Sequence, residues 1–378
     1  MKTCVFVLVG PIVVISFAWC AVGAELADGN PRTNEVQGND QPFTVVAVLH
    51  DDEALARPHD IELQGDLAFV PGKGGSVAIV DIKDLANPRI VWWNRDELAV
   101  EDAQTVLPLG QHLFLGARDF YSINVKDPAK PVVEERISDR PRVDRINGMA
   151  RRGDFILSAN KTGWIGVFDI SDPPSPRLRD VLDTRRHGDL RSPHDIAAFG
   201  NHIIVVDQAR DSPVKVRIYR VADSTTSQLL PTDKWVVAGS VTSASLNGAN
   251  RVGVSGNHAF VACSQSDNFA IGFLDITNPD DPVHLLTMPF ADVHATGLAI
   301  SGNMLFVAGG QAVQALDISA PDKPKTLAVI ETTDVFPTGR DNAHDLVYRD
   351  GHLFVTAQND NQIGIIRVND RRILERAL

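Results

Sequence analysis

Apolar and polar residues alternate over short segments that recur along most of this chain, with polar turns between them. The three clearest copies begin at Pro58, Ile146 and Thr296. Each copy contains a short alternating strand, a turn of Gly with Asn or Asp, two apolar strands and a Pro-containing turn. Gly beside Asn or Asp supplies the positive φ of a tight hairpin, and alternation with a period of two predicts strands. A unit that recurs in this way predicts a repeat protein built from stacked sheets.

Seven copies of the unit can be aligned, and six of them contain four strand-like segments. The seventh ends at Val368 without a fourth strand, whereas Phe43–Leu49 is a strand-like segment that precedes the first copy without a partner. An open array of sheets would need capping units at both ends, and the sequence contains no such units. We therefore predict an all-β fold over residues 43–370, a seven-bladed β-propeller in which the N-terminal strand completes the last blade.

The N-terminus is typical of a signal peptide. Lys2 is followed by the apolar segment Val5–Ala18 and by the small residues Val22-Gly23-Ala24, so we expect cleavage after residue 24. We interpret residues 25–42 as a flexible polar tether and residues 371–378 as a C-terminal tail. The sequence therefore predicts export to the periplasm or out of the cell, with no membrane span after cleavage.

The second and third strands of the unit carry a further pattern, in which the third strand ends on Asp. The copies with this ending are Ala78-Ile-Val-Asp81, Val167-Phe-Asp169, Phe273-Leu-Asp275 and Ala315-Leu-Asp317. The pattern resembles the LVIVD-repeat family of exported bacterial β-propellers. The second, fourth and seventh copies depart from it, with Asn124, Arg220 and Arg367 in place of the Asp. The resemblance implies a propeller and an exported location, but it implies no particular activity, because the family has no single well-defined one.

Composition narrows the classes of function. The formal net charge of −12 disfavours nucleic acid and anionic membranes as partners. The chain contains none of the P-loop, GxSxG, HExxH or CxxC motifs, so we expect no cofactor. Cys263 is the cysteine that remains after cleavage, and its place at the end of an apolar strand favours a buried, inert thiol. We expect a monomeric binding module rather than an enzyme.

One repeated position is polar in all seven copies and opens the first strand of each. Its residues are His59, Gln104, Asn147, His194, Asn250, Thr296 and His344, which we call the polar ring. The first strand of a propeller blade lines the central channel, so we predict that these side chains form a ring near one channel mouth. The same mouth should hold the aspartates that follow the three histidines and the neighbouring arginines. These are Asp60, Asp195, Asp345, Arg57, Arg145, Arg191 and Arg251, with His294 close to the same rim two residues before Thr296 and Arg340 further back along the chain.

Three interpretations of the polar ring remain open at this point. The ring side chains can bond to the backbone of neighbouring blades and serve the architecture. They can instead form a ligand site for a small polar or anionic molecule or for an unknown protein partner, since Arg suits carboxylate and phosphate. The third interpretation is a metal-dependent enzyme or hydrolase that uses His59, His194 and His344. Blades one and seven are neighbours in a closed ring, so His59 and His344 should approach each other, whereas His194 lies across the channel.

Overall fold

The computed structural model describes residues 41–95, 99–265, 268–290, 295–336 and 343–378. Within these residues, 28 strands form seven four-stranded antiparallel sheets. The prediction of an all-β, seven-bladed propeller is confirmed. The predicted signal peptide, most of the predicted tether, His294 and Arg340 lie outside the described residues.

The blades follow one another along the chain, and each runs from an inner strand to an outer one. Blades 1 to 3 contain β2 (Glu62–Gln64), β3 (Leu67–Pro71), β4 (Val77–Asp81), β5 (Arg89–Trp93), β6 (Thr105–Leu109), β7 (His112–Gly116), β8 (Phe120–Asn124), β9 (Val132–Ile137), β10 (Ile146–Arg152), β11 (Phe155–Asn160), β12 (Trp164–Asp169) and β13 (Arg177–Asp183). Blades 4 and 5 contain β14 (Pro193–Phe199), β15 (His202–Asp207), β16 (Val216–Arg220), β17 (Val236–Val241), β18 (Ala249–Ser255), β19 (His258–Gln265), β20 (Asn268–Asp275) and β21 (Val283–Pro289). Blades 6 and 7 contain β22 (Gly297–Ser301), β23 (Met304–Gly309), β24 (Ala312–Asp317), β25 (Lys325–Glu331), β26 (Ala343–Arg349), β27 (His352–Ala357), β28 (Gln362–Val368) and the N-terminal β1 (Phe43–His50).

The hydrophobic core lies between successive blades. The two middle strands of blade 1, β3 and β4, are buried almost throughout, as their apolar sequences predicted. Phe69 and Val77 from these strands pack in one cluster with Leu113 and Leu115 of blade 2. Burying a side chain of this size contributes about 1.5–3 kcal/mol, so contacts between blades stabilise a unit that could not stand alone.

Irregular pairing marks the inner strand at the polar ring. In β10, β14 and β18 the register shifts by one residue, so that Asn147, His194 and Asn250 have no direct partner on the neighbouring strand. Blade 7 has a similar irregularity beside His344. Such β-bulges bend a strand and redirect its side chains, and they are common next to functional sites. Bulges at equivalent positions therefore turn the ring residues towards the channel and the next blade.

The inner strand of blade 1 begins later than the sequence predicted. We expected it over His59–Leu63, whereas β2 starts at Glu62. The physical reason is a side-chain interaction, because the Asp60 carboxylate accepts the backbone N–H of Ile61 at 2.9 Å and so replaces a ladder bond.

Both ends of the described chain meet at blade 7. β1 pairs antiparallel with β28, with Phe43 opposite Val368 and His50 opposite Gln362. The backbone N–H of Asn369 donates to the Pro42 carbonyl at 2.8 Å. These bonds tie the N-terminal strand to the last sheet, where it pairs with the outer edge of β28.

The expected C-terminal tail is a short helix, α1 (Arg371–Ala377), whose first turn is capped by Asp370. Its Ile373 side chain is buried in the core shared by blades 6 and 7, and Arg376 bonds to Asp317 at 2.8 Å. No helix in the described part of the chain is long and apolar enough to span a membrane.

Removing β1 should abolish cooperative unfolding, because the last blade would lose its outer strand. The comparison is between a chain that starts at Asp51 and a control that starts at Asp40 and keeps β1. Thermal unfolding followed by circular dichroism should be sharp for the control and broad, at a lower temperature, for the shorter chain. Equally sharp melting of both chains at one temperature would contradict this role of β1.

Candidate functional site

The seven positions of the polar ring are enclosed at the start of the inner strands. Six of these side chains are buried and His344 is half-buried. The rings of His59 and His344 lie with their centroids 4.2 Å apart. The predicted approach of these two histidines is therefore confirmed, and His194 belongs to blade 4, away from that pair.

Each histidine of the ring donates to the backbone of the next blade. The Nδ1–H of His59 donates to the Gln104 carbonyl at 2.7 Å, and that of His194 donates to the Asn250 carbonyl at 2.7 Å. The Nδ1–H of His344 donates to the His59 carbonyl at 2.8 Å. A carbonyl oxygen can only accept, so Nδ1 carries the proton and Nε2 of each neutral ring is an acceptor. These bonds give the architectural interpretation a direct physical basis.

The electrostatic surroundings keep the three histidines neutral. Burial lowers the pKa of His59, His194 and His344 well below the usual value, because a charged imidazole would lose its hydration. The positive charges of Lys73, Lys161 and Arg251 lower these pKa values further.

The same charges disfavour a metal cation beside these rings. In the ranges that the structure describes, no group of three or more His, Cys, Asp or Glu side chains is arranged to hold a metal ion. The metal interpretation of His59, His194 and His344 therefore has no ligand set in this part of the chain.

Arg251 lies below the ring, where it crosses the channel. Its Nη2 donates to the Asp345 carboxylate at 2.8 Å and lies 3.8 Å from Asp60. Its Nη1 donates to the Asn147 carbonyl at 3.4 Å. One side chain from blade 5 thus contacts blades 1, 3 and 7. Burial disfavours this charge, but the carboxylates of Asp345 and Asp60 outweigh that effect and raise the Arg251 pKa.

The three aspartates that follow the ring histidines also join neighbouring blades or bind Arg251. Asp60 accepts the backbone N–H of Val106 at 3.1 Å, and Asp195 accepts that of Val252 at 2.9 Å, so each carboxylate binds the next blade. Burial raises the pKa of Asp195 to about 6 and that of Asp345 well above its usual value. The charge of Arg251 acts against burial and favours the Asp345 carboxylate, whereas the neighbouring Asp60 raises the Asp345 pKa further.

A cavity of about 350 Å³ lies in the channel beneath Arg251. Glu62, Asp195, Met149 and Tyr348 are among the residues that line it. The guanidinium of Arg251 therefore separates an acidic lower cavity from the mouth above.

The flanking arginines are exposed at the rim, and their charges are only partly free. Arg191 pairs with Asp211, and Arg145 lies 4.0 Å from Asp102. Arg57 is exposed, and its backbone N–H donates to Asn361 at 2.9 Å. Arg57, Arg145 and Arg191 are thus exposed, whereas Arg251, Asp60, Asp195 and Asp345 are buried.

A second set of repeat-equivalent residues lies at the same end of the blades as the polar ring, and sequence reasoning missed it. Each member lies fourteen positions after the ring residue of its own blade, in the turn between the second and third strands or, for Ser264, near the end of the second strand. The set is Lys73, Arg118, Lys161, Gln208, Ser264, Gly310 and Gln358. The constant offset is the sequence signal that reveals these residues. Its cationic members all belong to blades 1 to 3, so positive charge gathers on one side of the mouth.

Two members of this upper set, Lys73 and Lys161, have ammonium groups outside any ion pair of the described residues, although the more distant charge of Asp102 acts favourably on both. The backbone N–H of Lys73 donates to the Arg57 carbonyl at 3.0 Å, and that of Lys161 donates to the Arg145 carbonyl at 3.1 Å. Each turn is thereby fixed beside the start of its own inner strand. Arg118 bonds to Asp144 at 2.8 Å, whereas within the described residues neither lysine ammonium has a hydrogen bond or an ion pair within 4.0 Å.

The two lysine ammonium groups are partly withdrawn from water. Burial lowers the pKa of Lys73 to about 7, and the Lys161 charge contributes to that decrease. Burial likewise lowers the pKa of Lys161 to about 8. Strongly shifted groups in a cleft are candidates for a functional site.

Comparison with known proteins gives a solved structure with a similar fold and a repeat family that matches three segments of the chain. The chain aligns with the crystal structure of the computationally designed Ika8 protein at 12% identity and a TM-score of 0.53, covering 83% of this chain and 97% of that one. This likeness concerns the fold alone. The family model for the LVIVD repeat matches residues 58–92, 248–287 and 293–332, in blades 1, 5 and 6. The chain is therefore a β-propeller with LVIVD repeats in three of its blades, and no curated protein matches it.

The bonds from the histidines to neighbouring blades lead to a test with two isosteric substitutions. Asn places an N–H near the Nδ1 position of histidine, whereas Gln reaches the Nε2 position. His59→Gln should lower the free energy of unfolding by about 1–3 kcal/mol, because the buried Gln104 carbonyl loses its donor.

His59→Asn should retain the hydrogen bond to the Gln104 carbonyl, so it should lower the free energy of unfolding by less than His59→Gln does. Denaturant unfolding measures both values, and the same pair at His194 provides a second comparison. Equal losses for Asn and Gln at both positions would show that the Nδ1 bonds do not stabilise the ring.

Proposed function

We propose that this chain is an exported binding module that holds a small polar anion at the channel mouth. The observation that carries the proposal is the pair of unpaired ammonium groups of Lys73 and Lys161 above a buried polar floor. Exposed lysines on a protein surface are hydrated and need no partner. These two lie in a confined mouth, where the cost of leaving a charge unpaired is larger.

The shape of the site supports a small ligand. Arg251 crosses the channel below the ring, so the mouth ends at a floor formed by the ring side chains. A concave site with a few convergent polar groups is typical of small-molecule binding.

The charge of the site supports an anion. Arg57 and Arg145 are exposed beside the turns that carry the two lysines, so four cationic residues and one nearby carboxylate, Asp102, lie at this end of blades 1 to 3. The chain as a whole carries a formal net charge of −12. This local excess of positive charge is unlike the rest of the protein, and it would attract carboxylate or phosphate groups. Export is proposed from the signal-like residues 1–24.

The alternative of a hydrolase at the same ring has no specific support. In the part of the chain that the structure describes, no three metal-ligating side chains converge. The Nδ1 atoms of the three histidines are already bonded to carbonyl oxygens.

The two lysines are tested by anion binding to the purified protein, with citrate as the probe in isothermal titration calorimetry. Lys73→Gln/Lys161→Gln should weaken citrate binding at pH 6.5 by about tenfold or more, because each ammonium contributes a charge-assisted bond. The matched control is Lys126→Gln/Lys130→Gln, which removes the same charge from an exposed turn between the third and fourth strands of blade 2. Loss of affinity in both double variants to the same extent would contradict a site at the mouth.

The same binding should also depend on pH. The lysine pKa values of about 7 and about 8 mean that the ammonium groups deprotonate as the pH rises through this range. Citrate affinity of the unsubstituted protein should therefore be highest near pH 6.5 and fall towards pH 9. The Lys73→Gln/Lys161→Gln variant should lose most of this dependence, and an unchanged profile in that variant would contradict the assignment.

A further inference from the structure

We infer that the ligand of the mouth is a polyol that carries one anionic group, such as a sugar acid or a sugar phosphate. Its anionic group would lie at Lys73 and Lys161, and its hydroxyl groups would donate to unpartnered acceptors on the floor. This inference rests on the proposed function and specifies the chemistry of its ligand.

The floor of the mouth presents acceptors whose other side is already bonded. His59 uses its Nδ1–H for the Gln104 carbonyl, and its buried Nε2 has no hydrogen-bond partner. Gln104 donates its Nε2 group to Asp102, and its buried Oε1 has no partner. Both free atoms can only accept hydrogen bonds in these states. The ring side chains therefore make the hydrogen bonds that join the blades, and they retain acceptors that bond to no other group of the described residues.

A third ring residue adds to the same floor. Because Nδ1 of His194 carries the proton, the Asn147 amide atom that lies 2.9 Å from it is the accepting oxygen, and the buried end without a partner is the amide NH₂ group. Buried polar atoms are rarely left unpaired in folded proteins, because each costs about 1–3 kcal/mol. The two acceptors of His59 and Gln104 and the donor of Asn147, in the first three blades, point to a bound molecule that both donates and accepts hydrogen bonds, as a hydroxyl group does.

Among possible donors, the surroundings favour neutral hydroxyl groups. A metal ion or an ammonium group would satisfy acceptors, but it would lie within range of the positive charges of Lys73, Lys161 and Arg251. Those charges act on all three ring histidines. A hydroxyl group donates a hydrogen bond without adding positive charge, so it fits both the acceptors and the field around them.

The unpaired acceptors and the two lysines belong to one site. Lys73 bonds through its backbone to Arg57, two residues before His59, and Lys161 bonds in the same way to Arg145, two residues before Asn147. The turn that carries each lysine therefore lies beside the start of the inner strand that holds a ring residue of the same blade. A ligand that reaches both layers needs an anionic end and hydroxyl groups on adjoining carbons.

Four probes separate these requirements in isothermal titration calorimetry at pH 6.5. D-gluconate and glucose 6-phosphate carry both hydroxyl groups and an anionic group, hexanoate lacks the hydroxyl groups, and sorbitol lacks the charge. We expect gluconate or glucose 6-phosphate to bind at least about tenfold more tightly than hexanoate and sorbitol, since one satisfied buried acceptor is worth about that factor. The stronger of the two anionic polyols identifies the preferred anionic group.

Substitution of the floor provides the second readout. His59→Asn retains an N–H for the Gln104 carbonyl but removes the Nε2 acceptor, so the ratio of polyol anion affinity to hexanoate affinity should fall by about tenfold. Gln104→Met removes the other free acceptor and should lower the same ratio if His59→Asn does not fold.

Two results would overturn the inference at different levels. If hexanoate binds as tightly as gluconate and glucose 6-phosphate, and Lys73→Gln/Lys161→Gln weakens all three, then the hydroxyl requirement is wrong and the anion site remains. If neither these anions nor citrate binds, both the hydroxyl requirement and the proposed function are wrong.

Discussion

The buried guanidinium of Arg251 is the interaction on which the centre of this propeller depends. It comes from blade 5, donates to Asp345 of blade 7 and to the Asn147 carbonyl of blade 3, and lies near Asp60 of blade 1. A buried charge is tolerated only when its partners are well placed, because the penalty of removing it from water is several kcal/mol. The surrounding carboxylates provide those partners. The charge of Arg251 is therefore paired only when the four blades are packed correctly, and its bonds in turn hold those blades together.

This arrangement divides the channel electrostatically. Carboxylates and Glu62 lie around and below the guanidinium, whereas Lys73 and Lys161 stand above the ring. The histidines between these layers remain neutral because burial and nearby cations lower their pKa. Their Nδ1–H groups join successive blades, and this leaves Nε2 as the side that a ligand would meet. Architectural and binding roles can therefore coexist in one ring, since they use opposite nitrogens of the same imidazole.

Much of the fold could be predicted from the sequence, because the repeat brings seven similar units with the same order of strands. The polar ring could also be predicted, since a polar residue recurs where the inner strand begins. The burial of Arg251 in the channel could not be predicted from the sequence, because the bulge at Asn250 determines where the next side chain points. Lys73 was overlooked because its Gly-rich turn looks like an ordinary hairpin, and only the constant offset from the ring distinguishes it.

A double-mutant cycle between Arg251 and Asp345 tests the central charge pairing most directly. Arg251→Met alone should cost about 3–5 kcal/mol, since it leaves buried carboxylates without their cation. Adding Asp345→Asn removes one of those carboxylates, so the double variant should be less destabilised than the sum of the single variants by about 2 kcal/mol. Denaturant unfolding at pH 7 measures all four free energies. Additive losses would contradict the account, because they would mean that the guanidinium does not depend on Asp345 and that the centre of the channel is held by other contacts.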